Sequence, residues 1–351
     1  MLTIISFLAV FAILVLAHEV GHFITAKLSG VTIQEFGFGY PPRLFAVKVG
    51  GTEYSVNLLP LGGFVKMLGE EDPSDPGSLA GKPVPTRLLV LSAGSIMNIL
   101  LPLILFSASF MIPSQNYIGQ VQVAEIAPNS PAEGAGIKPG DIILKVNGRR
   151  IENTRDLSYN IHLNLGSEIS VLLQKGRYSQ EEVRVIPRWN PPPGQGAIGV
   201  AVNMVNAYPT TVAYPVWEAV PMGVRSGIDT LTLAKNEIIS LFVRGVFPQV
   251  AGPIGIAQIT GEVARMGLGP LLELAALLSM NLGVINIMPI PMLDGGRIFF
   301  VLIEVARRGK RIPPEKEGLV HLIGFAVLIA IMVLVSYYDI LRIIRGESLI
   351  R

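Results

Sequence analysis

The chain has 351 residues and a formal net charge of +2, with 50% hydrophobic and 15% charged residues and a mean hydropathy of +0.52. Soluble domains carry about 25% charged residues, so this composition excludes an ordinary soluble protein and points to an integral membrane protein with appreciable polar mass. The near-neutral charge, with no basic run interleaved with aromatics, argues for no nucleic-acid partner, and the absence of cysteine leaves only His, Asp and Glu to hold a metal.

Leu2 to Leu28 reads as a first membrane span, uncharged until Glu19 and long enough for a hydrocarbon core of ~30 Å. It lacks the basic n-region and small-residue cleavage site of a signal peptide. Its second half carries His18-Glu19-Val20-Gly21-His22. On a helix, His18 and His22 project from one face, where two neutral nitrogens can share a tetrahedral zinc. Glu19 is adjacent without needing to ligate, and suits a general base acting on a water that the metal acidifies. In a soluble helix, two satisfied histidines would explain the match about as well. Within a membrane each ionisable side chain costs ~2.5 kcal/mol or more on insertion scales, which favours a joint purpose.

Residues 29–86 are not a span: short β-rich runs at Val31–Phe38, Leu44–Val49 and Thr52–Leu59 are punctuated by Gly37, Gly39, Pro41 and Pro42. Gly50-Gly51 predicts a hairpin. The hydrophobic stretch Leu58 to Phe64 predicts a sheet edge against or dipping into the membrane, or equally a small amphipathic sheet on its surface. Asp72 to Pro85 is a proline-rich loop. Leu88 to Ile112 is the second span, in which Gly94 and Asn98 suit close helix packing or an interhelical hydrogen bond.

From Tyr117 to Arg188 the composition becomes that of a small soluble α/β domain. A short helix from Ser130 to Gly136, a Pro-Gly turn, a strand over Ile142–Val146 and the turn at Asn147-Gly148 closely resemble a PDZ domain. That resemblance implies either a peptide ligand added to a sheet edge or a packed spacer or steric filter with an empty groove. Trp189 to Gly196 is a stiff linker. Residues 216–247 form a moderately amphipathic helix suited to a membrane surface, and Ala251 to Ile256 is a helix-opening turn of undisclosed role. A third span begins at Leu271 and is broken at Pro289 and Pro291, before Asp294-Gly295-Gly296-Arg297 and an apolar helix to Ala306. Backbone broken at membrane depth needs protein or a wet cavity to satisfy it, so a polar site is expected nearby. Gly318 to Tyr338 is the last span.

Lys27, Arg43, Lys48, Lys66, Lys82 and Arg87 in one loop, and Arg307, Arg308, Lys310, Arg311 and Lys316 in another, predict that both face the cytoplasm. The N-terminus, the PDZ domain and the tail then lie outside, with Arg342, Arg345 and Arg351 in the tail counting mildly against this. The expected fold class is a polytopic α-helical membrane protein of four transmembrane helices, with a membrane-associated β-hairpin region and an inserted α/β PDZ domain. Its segments are 1–28, first span; 29–86, β region and loop; 87–113, second span; 114–204, PDZ domain and linker; 205–269, amphipathic extracytoplasmic helical segment; 270–306, broken third span; 307–317, cytoplasmic loop; and 318–351, fourth span and tail.

A catalytic zinc takes three protein ligands. Asp294, at the broken span and on the side of the membrane where His22 lies, is the best candidate for the third. Its plainer role would be an N-cap for a helix starting near Arg297, and Glu273 and Glu304 are weaker candidate ligands. Together, His18 to Phe23, the run Gly51 to Met67 and Asn286 to Gly296 resemble the site-2 protease family, nearest the branch of the bacterial regulator of sigma-E proteases. The resemblance covers nearly the whole chain. It implies an intramembrane zinc metalloprotease of the bacterial inner membrane, its active site toward the cytoplasm. Such an enzyme cleaves single-pass membrane proteins, typically anti-sigma factors or remnant signal peptides, after a first extracytoplasmic cut. Carried over by motif, His18, His22 and Asp294 would ligate Zn2+ and Glu19 would be the base. Asn286 would hold the substrate backbone, and the 44–67 hairpin, with Tyr54, Val56, Leu58, Gly62 and Gly63, would receive an unwound substrate strand. Gly94 and Asn98 match a family GPxxN-like site in which Ser95 replaces the proline; Pro289, Pro291 and Gly295 would support the site. The family's best-known members carry two PDZ domains, and only one is evident here. The rival from another class is a non-catalytic PDZ-containing membrane adaptor, which would hold no metal. A transporter with a broken helix also explains Pro289, but leaves His18, Glu19 and His22 without a joint purpose.

Overall fold

The computed structural model describes residues 1–70, 72–176, 178–245 and 251–346, with the side chain of Leu61 left aside. The uncharged N-terminal run forms α1 (Leu2–Leu28), 27 residues long, which at 1.5 Å per residue spans about 40 Å. β1 (Ile33–Val49) and β2 (Thr52–Met67) follow. Gly50 and Gly51 join them at φ +56° and +86°, the left-handed pair that the expected two-residue turn requires. Then come α2 (Val84–Met111), β3 (Ser114–Ile126), α3 (Pro131–Gly134), β4 (Ile142–Val146), β5 (Arg149–Arg150), α4 (Thr154–Leu163), β6 (Ile169–Lys175), β7 (Ser179–Val185) and β8 (Val200–Val212). The chain closes with α5 (Val216–Arg244), α6 (Pro253–Met266), α7 (Leu268–Ile287), α8 (Asp294–Ala306) and α9 (Pro314–Ile344). Among the described residues four helices, α1, α2, α7 and α9, are long and apolar enough to cross a membrane. Of the amphipathic helix expected over 216–247, Gly245 at φ +64° ends α5, and positions 246 and 247 lie outside the described residues.

By their internal contacts the described residues divide into two units, one of 1–110, 216–227 and 251–346, the other of 111–215 and 228–245. In the first, two apolar clusters bracket the HEVGH segment along α1. Val10 and Leu14 pack with Leu105 and Phe106 of α2 and Ala275 and Ala276 of α7. Ala26 packs with Val31, Ile33, Val65, Val90, Leu91 and Val301. Between them α1 and α2 approach closely: a Cβ at Gly21 would overlap the Ala93 carbonyl.

The β region differs from the three separate runs that the pattern predicts. β1 is one strand bent near Gly39, Pro41 and Pro42, and it folds β2 around itself. Phe45 pairs with Val56 and Val47 with Tyr54, while Phe36 pairs with both Tyr54 and Val65. The spatial order is therefore 43–49, 52–57, 35–38, 63–67. The 52–57 segment is interior, and the outer edge of 63–67 has no strand partner among the described residues.

The turn at Ala251–Ile256, whose role the pattern leaves open, starts α6. This helix belongs among the spanning helices, packing on α1, α7 and α9. Gly261 leaves room for Thr3, and the Gly255 N–H donates to Asp339 Oδ2 of α9 at 2.8 Å. A buried carboxylate thus meets the positive end of a helix.

In the second unit, β7-β6-β4-β3-β8 form an antiparallel sheet with β5 on β4. Val121, Ile143, Val146, Ile169, Val171 and Leu173 fill its core. Ser130 caps α3, its Oγ accepting from the Glu133 N–H, and Asn153 caps α4. The domain does not end at Arg188, nor does its sheet stop at 204. After the proline-rich linker, β8 pairs with β3 from Ile126↔Val200 to Ser114↔Val212 and forms one edge of the sheet. From α5, Asp229 takes a two-pronged ion pair from Arg149 at 2.5 and 2.9 Å. Asn236 donates to the carbonyls of His162 and Leu163 at the end of α4.

Candidate metal centre

Four-residue spacing puts His18 and His22 on one face of α1, with Nε2 atoms 3.2 Å apart. Asp294 Oδ2 lies 3.2 Å from His18 Nε2 and 3.1 Å from His22 Nε2, so the three donor atoms form a nearly equilateral triangle. A tetrahedral zinc bound at about 2.0–2.1 Å needs donors about 3.3 Å apart, and two imidazole nitrogens with one carboxylate oxygen are a donor set that zinc accepts. The residues present therefore fit the metal. Asp294 is the first residue of α8 and makes no capping bond, so the N-cap role does not describe it. The weaker candidates are engaged elsewhere: Glu304 with Arg87 and Arg311 at 2.6 and 3.1 Å, and Glu273 with Ser109.

Each histidine is held from behind. His22 Nδ1 donates to the Val90 carbonyl at 2.8 Å, which fixes the tautomer that turns an unprotonated Nε2 toward Asp294. His18 Nδ1 faces the Asn98 amide at 3.3 Å and the Asn286 amide at 3.5 Å. Asn98 is fully buried and its Oδ1 has no hydrogen-bond partner. Turning the amide over lets Oδ1 accept the Nδ1 proton of His18, the arrangement an Nε2 ligand needs. Gly94 is the floor beneath both rings, since a Cβ there would overlap His22 Nε2 and the His18 ring. Ser95, where the family pattern has proline, is fully buried and its Oγ lacks a partner.

Glu19 stands outside the triangle, facing the β region. A Cβ at Gly63 would come within 3.2 Å of Glu19 Cγ, and the Glu19 carboxylate interacts with the Val65 backbone N–H. A cavity of about 320 Å³ opens here, lined by Val15, His18, Glu19, Tyr40, Gly62, Gly63, Asn286, Met292 and Asp294. Gly62 and Gly63 thus lie beside the motif residues. Tyr54, Val56 and Leu58 do not line the cavity: Tyr54 packs on Phe23 and Phe36 in the sheet interior, and Val56 and Leu58 are about half exposed. The cause is the bend in β1, which makes 52–57 interior and leaves 63–67 as the edge at the site.

Pro289 and Pro291 end α7 and start a turn that closes tightly on itself. A Cβ at Gly295 would collide with the carbonyls of Ile287 and Met288, which is why the segment carries glycine after Asp294. Two features of the site escape sequence reading: the Val90 carbonyl and Tyr40. A backbone carbonyl has no sequence signature at all. Tyr40 is visible as a residue, but nothing local assigns it to the site.

The family model described as Peptidase family M50 matches residues 6–331. A Clostridium perfringens chain with the provisional name zinc metalloprotease is 39% identical over 345 residues, covering 96% of this chain and 98% of that one. Zinc metalloprotease RasP of Shouchella clausii is 30% identical over 433 residues, covering 97% and 99% of the two chains. RasP of Geobacillus kaustophilus is 28% identical over 424 residues, covering 96% and 97%. Among solved structures, the PDZ domain of the SdrC-like protein of Listeria monocytogenes aligns with 25% of this chain and 90% of its own at 20% identity, with a TM-score of 0.22. The chain belongs to peptidase family M50, the site-2 protease family.

Proposed function

We propose that this protein is an intramembrane zinc metalloprotease that hydrolyses a peptide bond in or near the transmembrane segment of single-pass membrane proteins. Anti-sigma factors and remnant signal peptides are the substrate class, presented after a first extracytoplasmic cut. The observation that carries the reading is the triangle of His18, His22 and Asp294, with Glu19 beside it, opening onto a cavity bordered by an unpaired strand edge. His18, His22 and Asp294 would hold the zinc that the named relatives share. Bound there, zinc supplies a Lewis acid that polarises a carbonyl and acidifies water.

The chain's own residues supply the rest. A transmembrane helix hides its carbonyls in internal hydrogen bonds, so it must unwind before hydrolysis. The outer edge of 63–67 offers replacement backbone partners, and Gly62 and Gly63 let a substrate strand approach without meeting a side chain. Glu19 takes a proton from the attacking water and delivers it to the leaving amine. Asn286 steadies the substrate backbone, and buried apolar packing on either side of the motif limits access by bulk water.

The loops rich in Lys and Arg orient this site toward the cytoplasm, in the bacterial inner membrane, with the N-terminus and the inserted domain outside. That domain, PDZ-like in sequence, presents β8 at a sheet edge, where a peptide can add a strand. The test is membrane proteomics of cells carrying the wild type or Glu19→Gln. The proposal expects membrane-embedded fragments of single-pass proteins to accumulate in the variant; identical fragment profiles would refute it.

A further inference from the structure

We infer that His321, on α9, is a positioning residue for Asp294. The inference rests on the reading of Asp294 as a metal ligand. Met292, two residues before Asp294, sits at φ +80°, a left-handed conformation that a non-glycine residue keeps only when its surroundings impose it. The turn's own bonds, Ile290 N–H to the Met288 carbonyl and Leu293 N–H to the Ile290 carbonyl, leave the Met292 N–H to another acceptor. His321 Nδ1 accepts it at 2.8 Å.

α9 grips the same turn a second time. One helical turn beyond His321, Gly324 leaves room for Pro291, where a Cβ would collide with the Pro291 ring and backbone. The two contacts stand out against the rest of α9, most of which is exposed or only partly covered. Its buried residues are His321 and Asp339, both polar, and both accept from a backbone N–H of another element. A helix serving only as a lipid anchor needs neither. The His321 ring is fixed against Phe300, centroids 5.5 Å apart, and its Nε2 faces Glu317 Oε1 at 3.9 Å. The acceptor at Nδ1 is thus a defined tautomer in a defined place, and it sets the backbone from which Asp294 reaches both histidines.

The experiment uses the full-length protein in detergent or nanodiscs. Zinc affinity is measured by chelator competition, and kcat and KM on a single-pass substrate, for the wild type, His321→Leu, His321→Asn and Asp294→Ala. His321→Leu removes the acceptor at similar volume, whereas the Asn Oδ1 can stand where Nδ1 stood. Supporting residues behind metal ligands are worth about 10–100-fold in affinity or activity. The expected result is zinc affinity and kcat falling about tenfold or more in His321→Leu with KM unchanged, and recovery to within about threefold of wild type in His321→Asn. Wild-type zinc affinity in a folded His321→Leu protein, or an equal loss in His321→Asn, would overturn the inference while leaving the metal site intact. Zinc absent from the wild type, or undiminished in Asp294→Ala, would overturn the metal-site reading and this inference with it.

Discussion

Gly94→Ala adds a single methyl group to the floor of the site. The new Cβ would lie 2.6 Å from His18 Cε1 and 2.8 Å from His18 Nδ1, and closer still to His22 Nε2. Ordinary contacts begin near 3.4 Å, so at the closest approach rings or helix must part by about 1 Å. Neither ring can simply rotate away, because His22 is tied to Val90 and His18 faces Asn98. A misplacement of about 1 Å can cost ~100-fold in rate, or ~2.7 kcal/mol of transition-state stabilisation. The assay is kcat/KM on a single-pass substrate together with zinc affinity. Gly134→Ala serves as the control, since Gly134 has nothing near its Cβ position. The expected outcome is about a hundredfold loss for Gly94→Ala with weakened zinc binding, and no change for the control. Full activity and zinc affinity in Gly94→Ala would show that the close approach of α2 does not set the geometry of the site.

Asn98→Leu should lower zinc affinity about tenfold, because His18 loses the partner for its Nδ1 proton, as read by chelator competition. Asn286→Ala should instead raise KM more than it weakens zinc binding, because Asn286 lines the cavity and only reaches His18 at 3.5 Å; steady-state kinetics separates the two effects. In the inserted domain, Arg149→Ala leaves the buried Asp229 carboxylate without its two-pronged partner and should cost about 2 kcal/mol of stability, measured by denaturant unfolding of the full-length protein.

Much of the site is legible locally. The four-residue spacing of His18 and His22 is a property of the helix itself, and the need for a third ligand follows from zinc chemistry. Asp294 is marked by the prolines that break the third span. What is not legible depends on pairings between residues distant in the chain. The 44–67 hairpin reads as one receiving surface that includes Tyr54, Val56 and Leu58 as well as Gly62 and Gly63. The bend at Gly39 to Pro42 folds β2 around β1 and puts the edge at 63–67 instead. Likewise β8 follows a proline-rich linker and has no local mark of membership in the sheet, yet it pairs with β3 along its length. The Asp339 contact that explains the turn at Gly252–Ile256 joins residues 84 positions apart, and neither half signals the other.

The proposed function requires His18, His22 and Asp294 to hold a zinc ion beside a base, Glu19, that works on peptide bonds in the membrane. Purified wild type, Glu19→Gln and Asp294→Ala, each analysed for zinc content and for cleavage of one single-pass substrate, test it most directly. Stoichiometric zinc and cleavage are expected in the wild type, zinc without cleavage in Glu19→Gln, and neither in Asp294→Ala. Cleavage by Glu19→Gln at the wild-type rate, or wild-type zinc content in Asp294→Ala, would contradict it.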